Sequence, residues 1–178
     1  MAVILKDFID NPHIINIELG AGCGNFGQKY HSECFLTDRS SPNELKQKCS
    51  NCFVTIFYCD AHNIPCGDNR FNTLLMCNPF GYGFKDSEDG LVLLNELARV
   101  LRDKGKVIIL GTSSNTNAQP KRIERRIREF NRLQNLVQFT ILAQKIDSQQ
   151  EYSGHAFFNT DGITPTTPNN RITLICNK

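Results

Sequence analysis

The sequence predicts an α/β fold in which a mostly parallel sheet carries helices on both faces. Three observations point there. Strand and helix signals alternate along the chain, a glycine-rich turn (Gly20-Ala21-Gly22-Cys23-Gly24) follows the first strand, and acidic residues close three successive strands at Glu18, Asp38 and Asp60. The 178 residues suit one domain, and a hydrophobic content of 40% is enough for a substantial core. A formal net charge of +2 is too small to demand a polyanionic partner. At the N-terminus only Ala2-Val3-Ile4-Leu5 is apolar before Lys6 and Asp7, too short for a signal peptide or a membrane span. The expectation is one cytoplasmic domain over residues 1–178, with a minimal N-terminal extension and no membrane partner.

The first apolar run, 13–19, reads as a strand, and 25–31 as a short helix opened by the glycine turn. Residues 34–37 make a second strand ending at Asp38. Ser41, Pro42 and Glu44 supply the serine, early proline and acidic residue that start a helix reaching about Cys49. The aromatic, β-branched run 53–59 is a third strand, and 71–77 a fourth that runs into Asn78-Pro79-Phe80-Gly81-Tyr82-Gly83-Phe84. Leu91, Leu94, Leu97, Ala98 and Leu101 recur at helical spacing, so a helix covers 90–101, and Asp103-Lys104-Gly105 is expected to stop it. A fifth strand covers 106–110, Pro120 opens a basic helix to about Leu133, and 139–146 and 172–176 are two closing strands. Between these last two lies a long loop with Gly154, Gly162, Pro165 and Pro168. It is expected to be functional unless it hides a strand such as 155–158.

Eight cysteines without a secretory signal read as reduced thiols. Cys49-Ser50-Asn51-Cys52 has zinc-ligand spacing with Cys59 and Cys66 downstream. No second C-x-x-C pair accompanies it, so buried or loop thiols and no metal are expected. Gly22, Gly24 and Gly27 fit G-x-G-x-x-G, so a nicotinamide cofactor competes for the glycine turn.

Taken in order, several segments resemble the motifs of the class I S-adenosylmethionine-dependent methyltransferases. They are Glu18-Leu19-Gly20-Ala21-Gly22-Cys23-Gly24, then Asp38, then Asp60-Ala61-His62-Asn63-Ile64-Pro65 with Asp68-Asn69-Arg70-Phe71-Asn72-Thr73, and finally Leu97 to Val107 with its Gly105-Lys106 turn. The likeness runs from about residue 13 to 112. It implies a three-layer Rossmann-like sandwich with a seven-stranded, mostly parallel sheet and an antiparallel C-terminal strand. It also implies S-adenosylmethionine as cofactor and S-adenosylhomocysteine as product.

In that resemblance Gly20, Ala21, Gly22 and Gly24 bring backbone against the cofactor's methionine and ribose, and Glu18 meets its ammonium. Asp38, with Arg39 beside it, faces two ribose hydroxyls. Asp60 accepts from the adenine amino group while the Ala61 N–H donates to a ring nitrogen. The plainer readings are that Asp38 caps the next segment with Ser40 and that Asp60 is a turn aspartate. The nicotinamide alternative lacks a lysine and tyrosine pair for a proton relay, and the chain is short for a dehydrogenase with its own substrate domain.

Chemistry is expected after the fourth strand. Asn78-Pro79-Phe80 is partly similar to the N-P-P-Y loop of amino-methylating enzymes, in which carbonyls grip an amine and an aromatic stacks on it. Phe80 stands where the second proline would be. Asn78, Pro79 and Phe80 are thus the candidate catalytic residues, with Asn78 also touching the cofactor; the alternative is a plain turn whose aromatics pack on the core. Methyl transfer is an in-line displacement on a sulfonium, so alignment carries most of it and a general base is optional. His62 and His155 are the candidates for one. In the basic helix Ile123, Ile127 and Phe130 share one face, leaving Arg122, Arg125, Arg126 and Arg128 on the others, the pattern of a solvated amphipathic helix rather than a nucleic-acid face. The expected function is methyl transfer to an unidentified small molecule, protein or nucleic acid. The competing reading is a non-catalytic cofactor-binding module that regulates a partner. Loops at 78–84, 112–119 and 149–170, or a second copy or partner chain, are left to complete an open acceptor pocket.

Overall fold

A computed structural model describes residues 13–22, 24, 26–31, 33–48, 57–80, 82–159 and 164–178. Cys23, Asn25, Cys49, Cys52, the start of the expected third strand at 53–56, Gly81 and Gly162 therefore lie outside the described residues. The strands are β1 (Asn16–Leu19), β2 (Cys34–Asp38), β3 (Phe57–Tyr58), β4 (Phe71–Cys77), β5 (Leu101–Gly111), β6 (Gln138–Lys145), β7 (Phe157–Phe158), β8 (Pro165–Thr166) and β9 (Asn170–Asn177). The helices are α1 (Phe26–Tyr30), α2 (Pro42–Lys48), α3 (Ser87–Val100), α4 (Pro120–Leu133) and α5 (Ser148–Glu151).

Seven strands form one sheet in the order β3-β2-β1-β4-β5-β9-β6, with β9 antiparallel to both its neighbours and the other pairs parallel. In β4, Leu74, Leu75 and Met76 are all buried in succession, because a central parallel strand is covered on both faces. Leu74 and Met76 join Val107 and Ile109 of β5 under α3 and α4, where Leu93, Leu97, Ile123 and Ile127 close the larger core. Leu75 and Leu110 face the other way and pack with Phe26 of α1 and with Phe157. The strand order reverses between β1 and β4, and such a switch point opens a crevice at the carboxyl ends of the strands.

Three sequence expectations change. First, the fifth strand begins at Leu101 rather than at 106, directly where α3 ends at Val100, one residue short of the expected 101. Leu101 is fully buried, pairs with Phe71 and turns extended, so tertiary pairing rather than Asp103-Lys104-Gly105 ends the helix. Residues 102–105 then bulge out before Lys106 rejoins opposite Thr73. Second, Arg126 is buried rather than solvated: its stem lies against Gly90, where a Cβ would be 3.3 Å from Arg126 Cδ, and its guanidinium meets Glu129 at 3.1 Å. Third, the long C-terminal connection is not all loop but contains α5 and the β7–β8 pairing of Phe157 with Thr166, the strand allowed for at 155–158.

Leu97 sits fully buried in the larger core, whereas Leu142 on the edge strand β6 is 54% exposed. Leu97→Ala is expected to cost about 2–5 kcal/mol in urea unfolding, and Leu142→Ala less than about 0.5 kcal/mol. Equal costs would contradict this arrangement of the sheet.

Candidate active site

At the carboxyl end of β1, Glu18 is 1% exposed and its Oε2 accepts a hydrogen bond from the Gly27 N–H of α1 at 2.6 Å. A Cβ on Gly27 would stand 2.9 Å from that oxygen and press on Cys34 Sγ, so only glycine lets α1 lie this close to β1 and β2. Close helix–strand packing thus accounts for the last glycine of G-x-G-x-x-G without a nicotinamide. Burial pushes the Glu18 carboxyl up to about 7, against the opposing pull of the Gly27 N–H.

The glycine turn above it passes through left-handed backbone at Gly20 (φ 67°) and Gly22 (φ 56°). A side chain at Gly20 would overlap the Tyr82 hydroxyl, which donates to the Leu19 carbonyl at 2.6 Å. Beside Gly22 there is open space, with nothing within 4 Å of where a Cβ would be. Asp38, ending β2, accepts from the Gly22 N–H at 2.8 Å through one oxygen and from the Ser40 N–H at 2.7 Å through the other. The Ser40 cap is therefore present, and the same carboxylate also clamps the glycine turn. Both oxygens keep a further lone pair.

A cavity of about 290 Å³ opens here. Its lining takes in Glu18, Gly20, Ala21, Gly22, Gly24, Asp38 and Arg39 together with Asn78, Pro79 and Phe80. Asp60 and Ala61 are not in this lining. Ala61 is buried in the larger core, and Asp60 reaches the rim through Arg39, whose Nε is 3.8 Å from Oδ2. The other oxygen of Asp60 accepts from the His62 backbone N–H at 2.9 Å and meets its ring at 3.1 Å.

The two candidate histidines separate. The His62 ring is held between Asp60 and Asp89, its Nε2 2.9 Å from Asp89 Oδ1, outside the lining. His155 is in the lining, edge-on to Phe26 at 5.4 Å and Phe157 at 4.6 Å between centroids. Burial, then the Lys29 ammonium, lowers its imidazole below the usual range, so it is neutral at pH 7.

Asn78 also takes a left-handed backbone (φ 49°), and its N–H donates to the Leu110 carbonyl at 2.7 Å. Its Oδ1 accepts from Asn115 Nδ2 at 2.9 Å and from the Thr112 hydroxyl and N–H at 3.3 and 3.4 Å. Asn115 Nδ2 donates to the Pro79 carbonyl at 3.1 Å as well. The orientation of these amides is fixed, because Asn115 Oδ1 is already the acceptor for the Asn117 and Ala118 N–H groups. Oxygens of the kind that grip an amine in N-P-P-Y loops are thus bonded within the protein.

The aromatic wall of Phe26, Tyr82, Phe157 and Phe158 was missed from the sequence. A single aromatic on a helix or in a loop reads as core, and only the Phe157-Phe158 pair was a local signal. What brings 152–159 across to α1 is long-range: Lys29 Nζ donates to the Gly154 carbonyl at 2.8 Å and the Tyr30 hydroxyl to that of Ser153 at 3.3 Å.

No protein-family model matches the chain, and no curated protein matches it in sequence. Solved structures do match. The antibiotic-resistance methyltransferase Kmr is 13% identical with a TM-score of 0.57, over 97% of this chain and 91% of that one. The plantazolicin methyltransferase BpumL, solved with a desmethyl analogue and S-adenosylhomocysteine, is 15% identical with a TM-score of 0.55, over 93% and 77%. A methyltransferase from Thermotoga maritima is 14% identical with a TM-score of 0.53, over 92% and 82%. These likenesses show the fold: the chain has the Rossmann-like class I methyltransferase architecture.

Because the folded state raises Glu18 from 4.5 to about 7, its neutral form contributes stability that is complete below pH 4.5 and lost as the pH climbs to about 7. Glu18→Gln keeps an acceptor for Gly27 and cannot ionise. Urea titrations across this range should show the variant gaining on the wild type as pH rises, by on the order of 3 kcal/mol at most. A difference that stays constant with pH would defeat the assignment.

Proposed function

We propose that the chain is an S-adenosylmethionine-dependent methyltransferase, and that the array of Glu18, the Gly20–Gly22 turn and Asp38 at the switch point of the sheet holds the cofactor. That array carries the reading. Its chemistry fits the ligand: open space beside Gly22 admits a ribose against backbone, Asp38 has lone pairs left for two hydroxyls, and Glu18 suits an ammonium. Arg39 lines the cavity beside Asp38 and suits the adenine end, with Asp60 reaching it only through Arg39, and the buried Ala61 has no part in the reading. Bound S-adenosylmethionine supplies a methyl group on a sulfonium, an electrophile that needs alignment more than activation. Pro79 and Phe80 shape the end of the cavity where an acceptor enters, and Tyr82 keeps the glycine turn rigid. The free thiols of Cys34, Cys59, Cys66, Cys77 and Cys176 suit a reducing compartment such as the cytoplasm.

Among the described residues no helix is long and apolar enough to cross a membrane. Calorimetry with S-adenosylmethionine and S-adenosylhomocysteine is expected to show one site, weakened at least about tenfold by Asp38→Ala, or about 1.4 kcal/mol. Absence of binding to the wild type would sink the proposal, and binding of NAD in its place would revive the dehydrogenase reading. With labelled donor and fractionated cell extract, transfer to an acceptor supports an enzyme; tight binding without any labelled acceptor favours a regulatory module.

A further inference from the structure

Two features of the cavity bear on the acceptor. One is an exclusion: the Asn78 carboxamide oxygen already accepts from Asn115 and Thr112, so it offers little to the protons of an amine. The other is the aromatic lining, in which the His155 ring packs edge-on against Phe26 and Phe157, and Phe158 and Phe80 line the same cavity. Phe80 and Phe158 remain 38% and 42% exposed, a large apolar surface left open to solvent and suited to a flat apolar ring. Among the described residues no side-chain hydrogen bond or ion pair engages the ring nitrogens of His155, whereas the His62 ring lies 3.1 Å from Asp60 and 2.9 Å from Asp89, and the His155 imidazole is half-buried rather than sealed.

We propose that the methyl acceptor is a phenol bound against these aromatics, and that His155 is the base that takes its hydroxyl proton. The inference rests on the methyltransferase reading above. The phenolic oxygen forms a bond to the methyl carbon as the carbon–sulfur bond of the sulfonium donor breaks and its electron pair passes to sulfur, leaving a thioether. The hydroxyl proton moves to a ring nitrogen of His155, which returns it to water at the cavity mouth. Burial and Lys29 keep that imidazole neutral and able to accept at pH 7.

The test uses the purified protein, labelled S-adenosylmethionine at about pH 8, and three probes: phenol, 4-nitrophenol, which is largely ionised already, and aniline. Phenol is expected to accept label at least about tenfold faster than aniline. His155→Gln should slow phenol by about a hundredfold while slowing 4-nitrophenol by less than about fivefold, since an ionised acceptor needs no base. A structural role for His155 would slow both equally, and that result overturns the proposal. So does preference for aniline, or no transfer to any probe by protein that binds S-adenosylhomocysteine. The phenol-to-aniline comparison in the wild type decides the matter even where the variant does not fold. Failure of S-adenosylhomocysteine to bind the wild type would instead strike the cofactor reading.

Discussion

The buried carboxylate of Glu18, bonded to the Gly27 N–H, sets how closely α1 lies on the sheet, and one side of the cavity is built around that contact. A carboxylate out of water needs a partner, and the first turn of a helix offers an N–H that no intrahelical carbonyl satisfies. One such bond does not cancel the cost of burial, which is why the group is held near the neutral form at about 7. The same closeness forces glycine at position 27 and packs Cys34 against it.

A second polar knot holds the other end. Asn78 leaves β4 in a left-handed turn and is tied to the loop after β5 through Thr112 and Asn115. Asn115 holds Asn78 with one branch of its amide and starts the short helical turn at Thr116–Ala118 with the other. The aromatic Phe80 is carried on this braced loop, with its carbonyl accepting from Asn117. Two strand ends, each fixed by a buried polar side chain, define the crevice between β1 and β4.

The third wall comes from farthest away in the sheet. The segment between β6 and β9 leaves the edge strand and reaches α1, where Tyr152, His155 and Phe157 cluster on Phe26. Its attachment is made of ring contacts and two hydrogen bonds to main-chain carbonyls, so it resists being read locally. The aromatic lining of the cavity therefore depends on residues more than a hundred positions from the glycine turn.

The amino-acid sequence by itself determined the strand and helix order, the parallel core and the glycine turn. These depend on short-range patterns: apolar runs in β4, helical spacing in α3, and glycines where the backbone must turn left-handed. Tertiary structure alone decided that β5 starts at Leu101 rather than at 106, since Leu101 is drawn into a pairing with Phe71 that no local signal announces. It decided that Arg126 is buried, because the space for its stem is made by Gly90 on another helix. It also decided which histidine meets the cavity. His62 and His155 are alike as letters, yet one is caught between Asp60 and Asp89 and the other is carried to the site by contacts spanning over a hundred residues. A pattern in sequence encodes what neighbours along the chain do; charge partners, burial and lining are set by residues that only folding brings together.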